Sequence, residues 1–213
     1  MHALGMLEVY SFTTAVCAAD IAAKAADIKV IAFDRTRPGS EHVPAPLVMQ
    51  MKIEGDNASV KAAIEAAKAY AEDEGMYITS GVIPRPGDGT EKMAYLLDVN
   101  KDKYNKKLPK TFYGMDIEAP EVDFSIGLLE VSGMVAAITG LDAMAKAANV
   151  SLIHSEKRLG GRLVTLIIRG TVSAVQAAVE AGAKAAEPLG KIHGKALIAH
   201  PHGEIMKYFD YED

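Results

Sequence analysis

Ser125 to Asn149, SIGLLEVSGMVAAITGLDAMAKAAN, has a second copy upstream at Ala3 to Asp27, ALGMLEVYSFTTAVCAADIAAKAAD. At a constant offset of 122 and without a gap, Gly5, Leu7, Glu8, Val9, Ala15, Asp20, Ala23, Lys24, Ala25 and Ala26 meet Gly127, Leu129, Glu130, Val131, Ala137, Asp142, Ala145, Lys146, Ala147 and Ala148. A repeat at fixed offset makes each copy one structural unit, and differences between the copies become informative.

Downstream the offset falls from 122 to 115 between Thr36 and Leu47, so the first copy carries seven additional residues there. Beyond that change Ile53-Glu54-Gly55 matches Ile168-Arg169-Gly170, Val60 matches Val175, and GVIPRP (81–86) matches ALIAHP (196–201). The duplication divides the chain into a first domain over 1–97, a connector over 98–123 and a second domain over 124–213. Each domain is about 90 residues long, within the usual range.

Composition bounds the class. With 49% hydrophobic residues, 24% charged residues and a net charge of -5, the chain has the balance of a soluble globular protein, neither disordered nor membrane-embedded. No apolar run approaches the ~18 residues of a spanning helix. The apolar first segment aligns with an internal segment of the second copy and lacks a positive start, so it reads as a strand and not as a leader. Cys17 is the sole cysteine, which leaves no intrachain disulfide and fits a reducing cytosol. Mild acidity with scattered lysines argues against a nucleic-acid partner, which demands a basic face.

In chain order, Ala3 to Tyr10 reads as a strand, and the alanine-rich run from Thr13 to Ala26 as a helix. Asp27 to Phe33 is a second strand. After the loop from Arg35 to Pro46, Leu47 to Ile53 alternates Val48, Gln50 and Lys52 against Met49, Met51 and Ile53, the pattern of a half-exposed strand. Asp56 caps a helix whose Val60, Ala63, Ile64 and Ala67 form one apolar stripe, and Gly75 ends it. Met76 to Ile83 is a fourth strand, stopped by Pro84 and Pro86, and Thr90 to Leu97 suits a short terminal helix. The second copy repeats this order, with strands near 125–132, 150–156, 163–169 and 192–199. The fold class is therefore α+β: two tandem ferredoxin-like domains, each a four-stranded antiparallel sheet with helices packed on it. Between them, a lysine-rich and then acidic stretch with Pro109 and Pro120 reads as a solvated connector.

The second copy from Gly127 to Ala186, and more loosely the first copy with its Ile83-Pro84-Arg85-Pro86 ending, resembles the bacterial microcompartment shell domain. The resemblance covers nearly everything outside the connector. It implies a tandem-domain shell protein that assembles as a homotrimer, a pseudohexamer in which two wedge-like copies per chain approximate a six-membered disc. It further implies tiling with other shell proteins into the facets of a bacterial microcompartment in the cytoplasm, with small metabolites passing a central pore. Under the resemblance, Lys24 and Lys146 lie on the tiling edge, together with Arg85 and its counterpart His200.

The same resemblance places the loops between the second and third strands at the pore. These are Arg35-Thr36-Arg37-Pro38-Gly39-Ser40-Glu41, continuing to Pro46, and the compact Lys157-Arg158-Leu159-Gly160-Gly161-Arg162. Three long and three short loops would alternate around the axis, and their arginines would favour anionic or polar solutes. Taken without the resemblance, both are exposed hairpin turns.

Other residues point to no chemistry of their own. His200, His202 and Glu204 lack the spacing of a metal site and read as surface turn residues. Glu8 and Glu130, repeated in both copies with no second carboxylate beside either, suit a structural hydrogen-bonding role. Cys17 sits within the first helix and the pore loops hold no cysteine, which disfavours an axial iron–sulfur cluster, so no cofactor is expected. Three classes of function stand side by side: a shell tile, a ferredoxin-like regulatory module binding a metabolite between its repeats, and an enzyme. The last is disfavoured because no nucleophile, acid–base pair or metal constellation can be assembled.

Overall fold

A computed structural model describes residues 2–40, 42–90, 94, 119–156 and 162–209. The first domain runs β1 (Ala3–Tyr10), α1 (Phe12–Ala25), β2 (Ile28–Thr36), β3 (Val48–Gly55), α2 (Asn57–Asp73) and β4 (Tyr77–Ile83), with sheet order β2-β3-β1-β4. The second runs β5 (Ser125–Ser132), α3 (Met134–Ala147), β6 (Ser151–Glu156), β7 (Leu163–Gly170), α4 (Val172–Ala186) and β8 (Ile192–Ile198), with order β6-β7-β5-β8. A single turn of helix, α5 (Gly203–Met206), follows. All pairings are antiparallel, and the copies agree down to their irregularities. The register slips after Glu8 in β1 as it does after Glu130 in β5, and near Val30 in β2 as near Leu152 in β6.

Close helix-on-sheet packing explains two glycines of the repeat. A Cβ on Gly5 would stand 2.8 Å from Ile53, Val60 and Ile64, and one on Gly127 would stand 2.6 Å from Val175 and Val179. Only a residue without a side chain lets α2 and α4 lie this near the central strands. At α2 the expected cap is present, with Asp56 Oδ1 accepting from Ala58 N at 2.8 Å and Ser59 N at 3.1 Å. Val60, Ala63, Ile64, Ala67 and Ala71 form its buried stripe, and Gly75, at φ 67°, stops the chain from continuing.

Two expectations change. First, β2 extends to Thr36, because Arg35 and Thr36 pair with Met49 and Val48; the long loop therefore begins at Arg37. Second, β3 is not half-exposed, since Lys52 and Glu54 are buried. Lys52 pairs with the Asp34 carboxylate of β2, which offsets the desolvation that a lone ammonium would suffer. Beyond these, α1 is buried almost all round, because the second domain covers the side that α2 does not. The helix expected over Thr90 to Leu97 falls outside the described residues apart from Thr90 and Ala94, of which Ala94 packs on Leu4 and Ile31. Residues 95–118 of the first domain's end and the connector, Glu41 and residues 157–161 also lie outside them.

Candidate functional site

The features that bear on function are a seam between the two domains and the surfaces that repeat its halves. At the seam, α1 touches β5, β8 and α5 of the second domain, and its side chains join Ile126, Leu128, Ile167 and Ile198 in one core. Entry into α1 is made by Ser11, a non-glycine residue at φ 76°. Its strained turn aims the first N–H groups of the helix at the second sheet. There Glu130, wholly buried, accepts from Ser11 Oγ at 2.7 Å, Thr13 N at 2.8 Å and Phe12 N at 3.3 Å. A carboxylate at this place satisfies orphan donors and meets the positive end of the helix dipole.

The second domain's tail closes the other side of the seam. Val30 lies on the edge strand β2. Its N–H donates to Glu204 Oε2 at 2.7 Å, and its carbonyl accepts from Tyr208 Oη at 2.8 Å. Lys207 balances Glu204 at 2.5 Å, and Tyr208 meets the Phe33 ring edge-on with centroids 5.0 Å apart. His202 accepts from Glu204 N through Nδ1 and donates its own N–H to Asp20 Oδ1 at 2.8 Å. Glu204 is therefore buried between domains and is no surface turn residue, because an edge strand needs its outer donors filled. The sequence signal for this was the apolar spacing of Ile205, Met206, Tyr208 and Phe209, all buried.

What the first copy buries against the second, the second copy leaves open. Phe12, Val16 and Val30 are 2%, 0% and 0% exposed, whereas their counterparts Met134, Ile138 and Leu152 are 48%, 61% and 44% exposed. Val135 and Leu189 extend this face. Contiguous apolar surface of this kind marks a docking site.

Of the residues expected at an edge, Lys24 and Lys146 each reach back one turn to an aspartate, Asp20 at 2.5 Å and Asp142 at 2.7 Å. Arg85 and His200 are exposed just beyond β4 and β8. Among the residues expected at a pore, Arg37 to Ser40 line a cleft of about 510 Å³ with Val43, Pro44, Pro46 and, from the second domain, Lys191 and His193. Burial depresses the His193 pKa and Lys191 adds to this, against the opposing pull of Glu130; its Nε2 lies 2.9 Å from Ser132 Oγ. Arg162 is exposed at φ 63°, next to the turn that lies outside the described residues.

Among the described residues no group of three His, Cys, Asp or Glu side chains could hold a metal ion, and no helix is long and apolar enough to cross a membrane. Cys17 is buried in α1, and burial pushes its thiol up to about 12. Its thiolate fraction at neutral pH is then negligible. Native protein should resist a thiol reagent at pH 8 and label fully in denaturant; fast labelling of the native protein would contradict the packing of α1.

Comparison with known proteins agrees with this architecture. The BMC domain family matches residues 3–86 and again 125–201. The carboxysome assembly protein CcmO of Synechococcus elongatus is 34% identical over 204 residues, 96% of this chain and 67% of that protein. The bacterial microcompartment shell protein PduA of Salmonella typhimurium is 46% identical over 83 residues, 39% of this chain and 87% of that protein. EutM of Escherichia coli, also a microcompartment shell protein, is 42% identical over 85 residues, 40% of this chain and 87% of its own length. One copy of the repeat thus corresponds to nearly a whole shorter relative, and the chain belongs to the BMC domain family, with two of its domains in tandem.

Proposed function

We propose that the protein is a structural tile of a bacterial microcompartment shell: three chains close into a pseudohexameric disc, and discs tile edge to edge in the cytoplasm. The observation that carries this reading is the open face of α3 and β6, which repeats in the second domain the surface that the first domain buries at the seam. A ring satisfies it, because the seam within each chain can recur between chains until no half is left over. Six domains, the family's plan, make that ring three chains.

In this disc the loops Arg37 to Pro46 and Lys157 to Arg162 converge near the axis and line the pore, with Arg35 and Thr36 at the strand end that feeds it. The cleft beside Lys191 and His193 lets the long loop shift against the second domain and so vary the aperture. Lys24, Lys146, Arg85 and His200 stand at the perimeter, where each lysine stem can lie along a neighbouring disc. Other shell proteins are the lateral partners, and small polar or anionic metabolites are what the pore passes. The protein acts as wall and conduit, without catalysis.

Light scattering should give three times the 22.7 kDa chain mass, and electron microscopy at rising concentration should show flat sheets. Replacing Lys24 and Lys146 together by alanine should abolish the sheets and leave the trimer intact. A small oligomer that binds a metabolite saturably and never forms sheets would instead identify a regulatory module.

A further inference from the structure

The second copy differs from the first in how its leading helix begins. On the proposed ring, that difference specifies a contact. We infer that Glu8 of one chain caps the N-terminus of α3 in the next chain, held there by the guanidinium of Arg162. The inference rests on the ring reading and names the residues that close it.

Glu8 and Glu130 occupy one register position. Glu8 lies opposite Gln50 and Thr79, Glu130 opposite Thr165 and Gly194, and the same register slip follows each. Both carboxylates therefore leave the same face of their sheets at the same point. Glu130 is consumed by α1 of its own chain. Glu8 is half-buried and accepts from Gln50 Nε2 at 3.0 Å. A carboxylate offers about four acceptor positions, so capacity for further donors remains.

The matching receptor is the start of α3. Gly133 N donates to Arg162 O at 2.8 Å, as Ser11 N donates to Leu47 O at 3.2 Å, so the two turns superpose in the repeat. Unlike α1, α3 has no side-chain cap, and Met134 and Val135 of its first turn are exposed. Gly133 cannot supply the hydroxyl by which Ser11 binds Glu130. Arg162 can replace it, since its Nη2 lies 3.2 Å from where a Cβ on Gly133 would stand. The donor has moved from the turn residue to the residue facing it. Around it a cleft of about 390 Å³, lined by Gly133, Met134, Val135, Arg162 and Leu189 among others, is open to receive the carboxylate.

The two seams are not identical. A Cβ on Gly194 would stand 2.8 Å from Thr13 Cβ, yet the equivalent register position at the open seam holds Thr79. The neighbouring helix must therefore stand farther from the sheet between chains than within a chain. A guanidinium on a long stem spans that gap where a serine hydroxyl would not. The seam within the chain thus uses a neutral donor, whereas the seam between chains uses an ion pair and weakens with salt.

The test measures subunit exchange between labelled trimers, and dissociation on dilution, at low and high salt. Glu8→Gln and Arg162→Gln should each raise the dissociation constant per seam about tenfold or more, as expected for loss of a charge-assisted hydrogen bond. The double variant should be little worse than either single one, the sign of a coupled pair. Both should abolish most of the salt dependence, and Glu8→Asp should restore part of the affinity. In a monomeric Ile138→Asp background, Glu8→Gln should leave the melting temperature unchanged, which separates the clamp from the internal bond to Gln50. Trimers of unchanged exchange and salt response would overturn the clamp and leave the ring intact. A wild-type chain that stays monomeric at every concentration would overturn the ring, and the clamp with it. A loss of melting temperature in the monomeric background would also overturn the clamp.

Discussion

Ile138→Asp should yield a folded monomer, and Val16→Asp at the same place in the repeat should yield no folded protein. Ile138 is 61% exposed within one chain, so an aspartate there meets water and leaves the domain undisturbed. Once chains associate, that carboxylate would be carried into an apolar seam, at a cost of several kcal/mol when no cation is placed to receive it. The proposed ring of three chains would contain three such seams. About 4 kcal/mol at each is a factor of roughly a thousand per contact, enough to leave monomer at micromolar concentration. Val16, wholly buried against the second domain, has no water-facing state, and the same carboxylate there opposes folding itself. Sedimentation with a thermal melt checks both: a trimeric Ile138→Asp would mean that the α3 face is not where chains meet.

The second large effect concerns Glu130→Leu, which should cost about 3–5 kcal/mol of unfolding free energy. Leucine fills a similar volume but accepts nothing, so Phe12 N, Thr13 N and the Ser11 hydroxyl are left buried and unpaired together. Their loss also removes the negative charge from the positive end of α1. Against a total stability of about 5–15 kcal/mol, a large share of the native advantage disappears. Glu130→Gln should be milder, because its amide oxygen still accepts from one or two donors. Urea denaturation measures the difference, and a leucine variant within about 1 kcal/mol of the native chain would show that the cap is not needed. The analogous Glu8→Leu should barely alter the melting of an isolated chain, since α3 of that chain lies elsewhere.

The repeat made the fold legible. Matching Gly5 with Gly127 and Glu8 with Glu130 placed two strand–helix units in register, and the alternation of Met49, Met51 and Ile53 identified the core side of β3. What alignment could not supply was which neighbour covers each copy. Val16 and Ile138 hold the same place in the pattern and have opposite exposure, because only one of them meets another domain within the chain. Lys52 reads as solvent-facing by alternation, and its burial depends on Asp34, a partner on another strand. Glu204 looked like part of a turn because its acceptor role is set by the unfilled edge of β2, far away in sequence. The expected edge and pore residues followed from family likeness, and the proposed Glu8–Arg162 pairing rests on comparing the two seams.

Glu130 and the helix it caps belong to one chain, which bears on how the proposed rings would form in a crowded cell. In the proposed disc, half of the joints would be made at an effective concentration set by the chain itself, independent of how much protein is synthesised. Only the remaining half would obey mass action, so ring yield would vary with the third power of chain concentration, where six separate wedges would require the sixth. A cell could therefore complete the proposed discs at low expression.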